Sequence, residues 1–295
     1  MTRVVVAGDV MVDVVARLAG PIAVGSDSAA QVGMRPGGSA ANVAAWLAVA
    51  GVRAALVARV GDDAAGRSAA RRLARHGVDP RLAVDEQRST GTCVVLVHPG
   101  GERSMLPDAG ANAALSRDDV PADLFAAGAH LHITGYTLLR DGSREAALHA
   151  LALARAAGMT VSVDPSSAAP LAAVGAERFL EWTGRADLLL PNADEAAALT
   201  GEADPETAAR MLARHAREVV VTLGTRGALW TDGADLVRAP AVTTRAPADT
   251  TGAGDAFAAG FLVEWVAGAT PAAALRGGSA LAARAIGTAP APNPL

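Results

Sequence analysis

Residues 249–257 read Asp249-Thr250-Thr251-Gly252-Ala253-Gly254-Asp255-Ala256-Phe257, and a segment of helical period follows directly. Gly and Ala at 252–254 let the backbone approach an anion closely, with the N–H groups of 252–255 pointing outward where the helix begins. The helix dipole adds partial positive charge there. Such a nest suits a phosphoryl group in transfer, whose charge spreads over three oxygens. Asp255 sits at the same point, placed to accept a proton from an attacking hydroxyl. The competing interpretation is a Gly-rich turn capped by Asp255, and for a bare Gly-Ala-Gly it would win. The flanking Asp-Thr-Thr and the terminal Asp reverse that preference. A dinucleotide fingerprint is excluded, because GxGxxG would need glycine at position 257, which is Phe257, and a strand immediately before.

Outward from this stretch, short apolar β-rich runs alternate with longer Ala/Leu/Arg segments. The expected strands are 3–8, 54–60, 129–133, 160–164, 187–190 and 219–223. The expected helices are 40–50, 64–76, 143–157, 204–217, 253–267 and 271–286. The strand runs are apolar throughout, as buried parallel strands are, so the fold class is α/β with helices on both faces of a parallel sheet. Residues 14–36 and 88–106 break the rhythm and read as extra strands forming a flap over one sheet edge. The tail 287–295 is Pro/Ala-rich and reads as irregular.

Composition removes whole classes of chemistry. The 295-residue chain is 51% hydrophobic but 3% aromatic, so its core falls to Ala, Val and Leu. All 26 basic residues are arginine; without lysine there is neither a Walker-A loop nor a Schiff-base amine. A net charge of −4 gives no global attraction to nucleic acid or anionic membranes. No run approaches the ~20 apolar residues of a membrane span, and the N-terminus lacks a signal-peptide pattern. The single Cys93 allows no internal disulfide, so a soluble, cytoplasmic protein is expected. The six histidines lack metal-ligand spacing, and His130 and His132 are expected to face opposite sides of their strand. Trp46, Trp182, Trp230 and Trp265 read as packing.

A second constellation runs through Gly37-Gly38-Ser39-Ala40-Ala41-Asn42 to Val60-Gly61-Asp62-Asp63-Ala64-Ala65-Gly66. Paired glycines before a helix expose N–H groups, and Asn42 lies on its first turn; alone, this is a common strand–helix connection. Taken together, 37–66 resembles the N-terminal signature of the PfkB carbohydrate kinases and 249–261 their C-terminal signature. Between them, Pro191-Asn192-Ala193-Asp194-Glu195 is similar to the family's Asn-x-x-Glu motif. Val221-Thr222-Leu223-Gly224-Thr225-Arg226-Gly227 is similar to its nucleotide-side strand and turn, and Gly110-Ala111-Asn112-Ala113-Ala114-Leu115 is ribokinase-like. The matches occur in family order over nearly the whole chain.

The resemblance implies one three-layer α/β/α ribokinase-like domain over 1–295, with a mainly parallel sheet and a small β-sheet lid from about 14–36 and 88–110. It implies ATP-dependent phosphorylation of a small sugar, with Asp255 as base and Gly252, Ala253 and Gly254 forming the anion hole. Asp13, better placed than Asp9, would bind sugar hydroxyls with Gly37, Gly38, Asn42 and Tyr136. Asn192, Thr222, Gly224 and Gly227 would line the ATP site, with 276–282 near the adenine. Asn192 and Glu195 would hold Mg²⁺ largely through water. Asp249 and Thr251 match a monovalent-cation (K⁺) site of many relatives. A homodimer through the lid is also implied. The lid stretches contain no Phe, Tyr or Trp to stack a base, so ribose or a related pentose or ketose is favoured over a nucleoside. Asp164-Pro165-Ser166-Ser167 lacks the arginine that follows Asp-Pro in many fructokinases and ketodeoxygluconate kinases, while Arg35 and Arg103 offer charge to an anionic acceptor. A nucleoside kinase or a sugar-acid kinase of the same family stays open.

Overall fold

The structure is a computed structural model that describes residues 2–100, 102–242 and 251–286. Asp249 and the tail 287–295 lie outside the described residues.

A nine-stranded sheet organises the molecule. In chain order its strands are β1 (Arg3–Ala7), β4 (Arg53–Gly61), β5 (Asp79–Asp85), β8 (His130–Thr134), β9 (Thr160–Asp164), β10 (Leu188–Leu189), β11 (Glu218–Thr222), β12 (Ala228–Thr231) and β13 (Leu236–Ala239). The spatial order is β13-β12-β11-β10-β9-β8-β1-β4-β5. From β5 to β11 every neighbour is parallel; β12 and β13 close one side as antiparallel strands. Four further strands, β2 (Met11–Leu18), β3 (Ala30–Gly37), β6 (Gly91–Val97) and β7 (Arg103–Asp108), form a separate sheet in the order β3-β2-β6-β7.

Strand alternation builds the three layers. On β1, Val4 and Val6 join a core with α1 (Ser39–Val49), α9 (Ala253–Val266) and α10 (Pro271–Ile286), through Trp46, Leu47, Phe257 and Phe261. Val5 and Ala7 face the other way, into a core with α4 (Asp141–Ala156), α5 (Ala168–Val174), α6 (Ala176–Thr183), α7 (Ala193–Thr200) and α8 (Pro205–Leu212), around Leu151, Leu171 and Phe179. Ala-rich helices sit close to the strands, so two apolar layers fill with few aromatic rings.

Most expected elements, among them α2 (Ala64–Arg75), lie within two residues of their observed ends. The expected strand 187–190 pairs only at Leu188–Leu189. The expected helix 204–217 stops at Leu212, because tight turns through His215 aim Arg217 at the sheet, where its N–H bonds Ala186 O. Seven strands and α-helices had no expectation: β5, β12, β13, the one-and-a-half-turn α3 (Gly135–Leu139), α5, α6 and α7. Pro80 and a half-buried pattern hide β5, an edge strand. One expectation was wrong in principle. His130 and His132 stand two apart on β8, and a two-residue period places them on the same face. Both bond the Ser162 hydroxyl, at 2.7 and 2.8 Å, and burial pushes them down to about 3 and 4, so both are neutral core groups.

Candidate active site

The carboxyl ends of β1, β8, β9 and β10 open onto a cleft of about 730 Å³ between the main and small sheets. Open α/β sheets bind ligands at this end. The helices α1 and α9 both begin there. Gly38 caps α1 and Gly252, at φ 77°, caps α9; the left-handed backbone at 252 strains any other residue. That turn brings the Asp255 carboxylate to the start of α1, where Ser39 Oγ donates to Oδ1 at 2.6 Å and Asn42 Nδ2 donates to Oδ2 at 2.8 Å. Burial pushes Asp255 up to about 6; those two bonds pull it down, and the charges of Asp9 and Asp13 push it up. Asn42 Oδ1 is buried and has no hydrogen-bond partner among the described residues.

The small sheet supplies one wall. Asp13, Cys93, Arg103, Met105 and Pro107 face the cleft from β2, β6 and β7. Asp13 is buried, with Arg35 Nε 3.7 Å from its Oδ2. Gly37 makes this possible, since a Cβ there would fall 2.3 Å from Asp13 Oδ1. Asp9 instead receives the Ala40 N–H at 3.2 Å and so steadies α1, although it also lines the cleft. Arg103 reaches across and donates to Thr251 Oγ1 at 2.7 Å.

On the opposite wall Asn192 and Glu195 form a reciprocal cap on α7. Asn192 Oδ1 accepts from Glu195 N, while Glu195 Oε2 and Oε1 accept from Asn192 N and Nδ2 at 2.9 and 2.7 Å. Unlike an ordinary cap carboxylate, Glu195 is buried, and burial pushes it up to about 7, aided by the charge of Asp194. Asp164, at the end of β9, is raised well above the usual carboxylate range by burial and then by the charges of Glu195 and Asp255. Tyr136 stands among these acids on α3, its phenol raised by burial and by Asp9, Asp164, Asp255 and Glu195. No three His, Cys, Asp or Glu side chains among the described residues form a ready-made metal cage. Asp164 and Glu195 nonetheless fit Mg²⁺: both are hard oxygen donors, and a divalent cation beside them would offset the repulsion that raises both.

Thus Asp9, Asp13, Gly38, Asn42, Tyr136, Asn192, Glu195, Thr222, Thr251, Gly252, Gly254 and Asp255 share one cleft. Gly224 and Gly227 belong to the β11–β12 turn and are not among its described lining, nor are Ala253 and 276–282, the middle of α10. Ser39 and Asp164 escaped the sequence reading as site residues. Ser39 lies inside the Gly-Gly…Asn turn, but its bond to a residue 216 positions away has no local signal. Asp164 follows an apolar strand, which was the available clue.

The chain is 35% identical to the ATP-dependent ribose-1-phosphate kinase of Halopiger xanaduensis, covering 90% of this chain and 86% of that protein. It is 33% identical to the 2-dehydro-3-deoxygluconokinase of Thermoproteus tenax, over 81% of this chain and 75% of that one. The adenosine kinase structure from Sinorhizobium meliloti superposes with a TM-score of 0.88 at 29% identity, covering 97% and 94% of the two chains. Residues 1–294 match the family described as pfkB family carbohydrate kinase. With that match over nearly its whole length, the chain belongs to the pfkB family of carbohydrate kinases.

Proposed function

We propose that the protein transfers the γ-phosphoryl group of ATP to a hydroxymethyl group of a small sugar, a pentose or ketose being the first choice. The observation that carries this is the Asp255 carboxylate, held by Ser39 and Asn42 beside the first N–H groups of α9. The attacking hydroxyl gives its proton to Asp255 as its oxygen bonds to the γ-phosphorus, and the bond from that phosphorus to the bridging oxygen breaks, releasing ADP. In-line transfer needs positioning and charge neutralisation more than a strong base, so a carboxylate near pKa 6 suffices. The N–H groups of 252–255 receive the charge on the transferring group. Asp13 accepts two acceptor hydroxyls, and the unpartnered Asn42 Oδ1 accepts another. Asn192, Thr222, Gly224 and Gly227 form the nucleotide side. When bound, Mg²⁺ neutralises phosphate charge, held by Glu195, Asp164 and Asn192, mostly through water. Asp249 and Thr251 are the proposed neighbours of a K⁺ ion.

Residues 1–295 then make one kinase domain whose lid spans about 14–36 and 88–110. On the lid face turned from the cleft, Val32, Met34 and Leu106 are exposed, and their register partners are Ala16, Val14 and Val94. This apolar face supports a homodimer through the lid. The single, buried Cys93 supports a cytoplasmic setting, and no described helix is long and apolar enough to cross a membrane. A nucleoside acceptor is the second choice: the fold matches an adenosine kinase, yet Met11, Cys93, Met105 and Pro107 offer the lid side of the cleft no ring to stack on. A coupled ADP-release screen across pentoses, hexoses, ketoses, sugar acids and nucleosides tests the assignment. Adenosine or cytidine turned over faster than every sugar would overturn it.

A further inference from the structure

One cation in the cleft has no part in this mechanism. Arg140 follows α3, is half-buried, and lies with its guanidinium over the Tyr136 ring, 5.2 Å from the centroid. Five carboxylates line the same cleft (Asp9, Asp13, Asp164, Glu195 and Asp255), and none of them pairs with it. The other arginines nearby are engaged. Arg35 stands 3.7 Å from Asp13, Arg103 bonds Thr251, and Arg144 pairs with Asp141 at 2.7 Å and donates to Leu138 O. The β9–α5 turn brings Ser166 and Ser167 to the same cleft, with no arginine of its own. The Ser166 hydroxyl bonds Asp164 O, whereas the Ser167 hydroxyl bonds no described group.

A guanidinium taken partly out of water without a counter-charge is unfavourable unless something else replaces its hydration. Stacking on Tyr136 orients the planar fork but satisfies none of its five N–H donors. Those donors match a carboxylate or phosphate edge. In a cleft this acidic, a free anion would be repelled from most of the surface and welcomed at the N–H groups of 252–255 and at Arg140.

We propose that Arg140, oriented by Tyr136 and joined by the Ser167 hydroxyl, is an anion subsite of the acceptor. The acceptor is then a sugar that already carries a carboxylate or a phosphoester besides the hydroxyl to be phosphorylated. This rests on the kinase reading above and narrows its substrate class.

The test uses matched acceptors, D-gluconate with D-glucose and ribose 1-phosphate with ribose, on the wild type, Arg140→Gln, Arg140→Lys and Ser167→Ala. Turnover is read by ADP release and binding by calorimetry. At least one anionic member is expected to exceed its neutral partner by about 10-fold or more in kcat/KM. Arg140→Gln is expected to lower kcat/KM for that acceptor by about 10- to 100-fold, mainly through KM. Arg140→Lys should recover part of this and Ser167→Ala should lose less, with the KM for ATP and neutral-sugar turnover unchanged. Which pair responds identifies carboxylate or phosphoester. Neutral acceptors preferred throughout, an equal effect of Arg140→Gln on both members, or an effect confined to the KM for ATP would overturn the subsite. Arg140-dependent binding of gluconate or ribose 1-phosphate without any ADP release would uphold the subsite while defeating the kinase reading. Turnover without such binding would do the reverse.

Discussion

At the scale of single residues, the proposed chemistry turns on Asp255, and its neighbours set the pH at which it would work. A base must be ionised, and burial pushes Asp255 up to about 6. The kcat/KM profile should therefore fall as pH drops through about 6. Ser39 donates to this carboxylate and holds its pKa down. Ser39→Ala should move the acidic limb to higher pH, as measured in the same profile; an unmoved limb would contradict the contact. Asp164 carries the opposite lesson about stability. Its folded pKa lies above the unfolded value, so its contribution is full below the unfolded pKa and is lost as pH rises through the folded one. Asp164→Asn should thus raise the thermal midpoint of the metal-free protein at pH 8 and change it little at pH 4, while lowering activity. Calorimetric scans at the two pH values check this. Asp255, Asn42 and Glu195 were legible because glycines or a motif spacing marked them. Ser39, Asp164 and Arg140 were not, since each becomes a candidate only through what the fold brings near it.

At the scale of elements, the joint between the two sheets is the controlling feature. The chain leaves β1 for the small sheet at Val10, and the buried Asn112 amide grips that residue from both sides. Its Oδ1 accepts the Val10 N–H at 2.9 Å, and its Nδ2 donates to Val10 O at 2.8 Å and to Ala109 O at 3.0 Å. Asn112→Ala would leave a buried N–H and carbonyl unpaired, lowering stability by about 1–3 kcal/mol in denaturant titration. Because Asp13 lies three residues beyond Val10, the acceptor KM should rise more than the KM for ATP. The Gly110–Leu115 segment was singled out in the sequence by resemblance, but its physical task was invisible without the strand it clasps. Long apolar runs revealed most of the parallel strands, whereas β12 and β13 are four residues each and too short to show a period. The His130–His132 error came from misapplying the two-residue period; the sequence itself was unambiguous.

At the scale of the whole molecule, a sheet covered on both faces brings two helix starts, α1 and α9, to one cleft from positions more than 200 residues apart. Composition foretold much of this, since an Ala/Val/Leu core with few rings favours closely packed layers and a lysine-free chain excludes the Walker-A route to phosphates. Composition was silent on the acceptor, whose recognition in the proposed mechanism falls to a few cleft side chains drawn from both sheets. The central claim, that Asp255 activates a sugar hydroxyl toward ATP, has one direct test. Sugar-dependent ADP release and ATP affinity are measured for the wild type and for Asp255→Asn, which keeps the shape and removes the base. The account predicts a fall in kcat of at least ~10² with ATP binding nearly unchanged. Near-normal turnover by Asp255→Asn would contradict it.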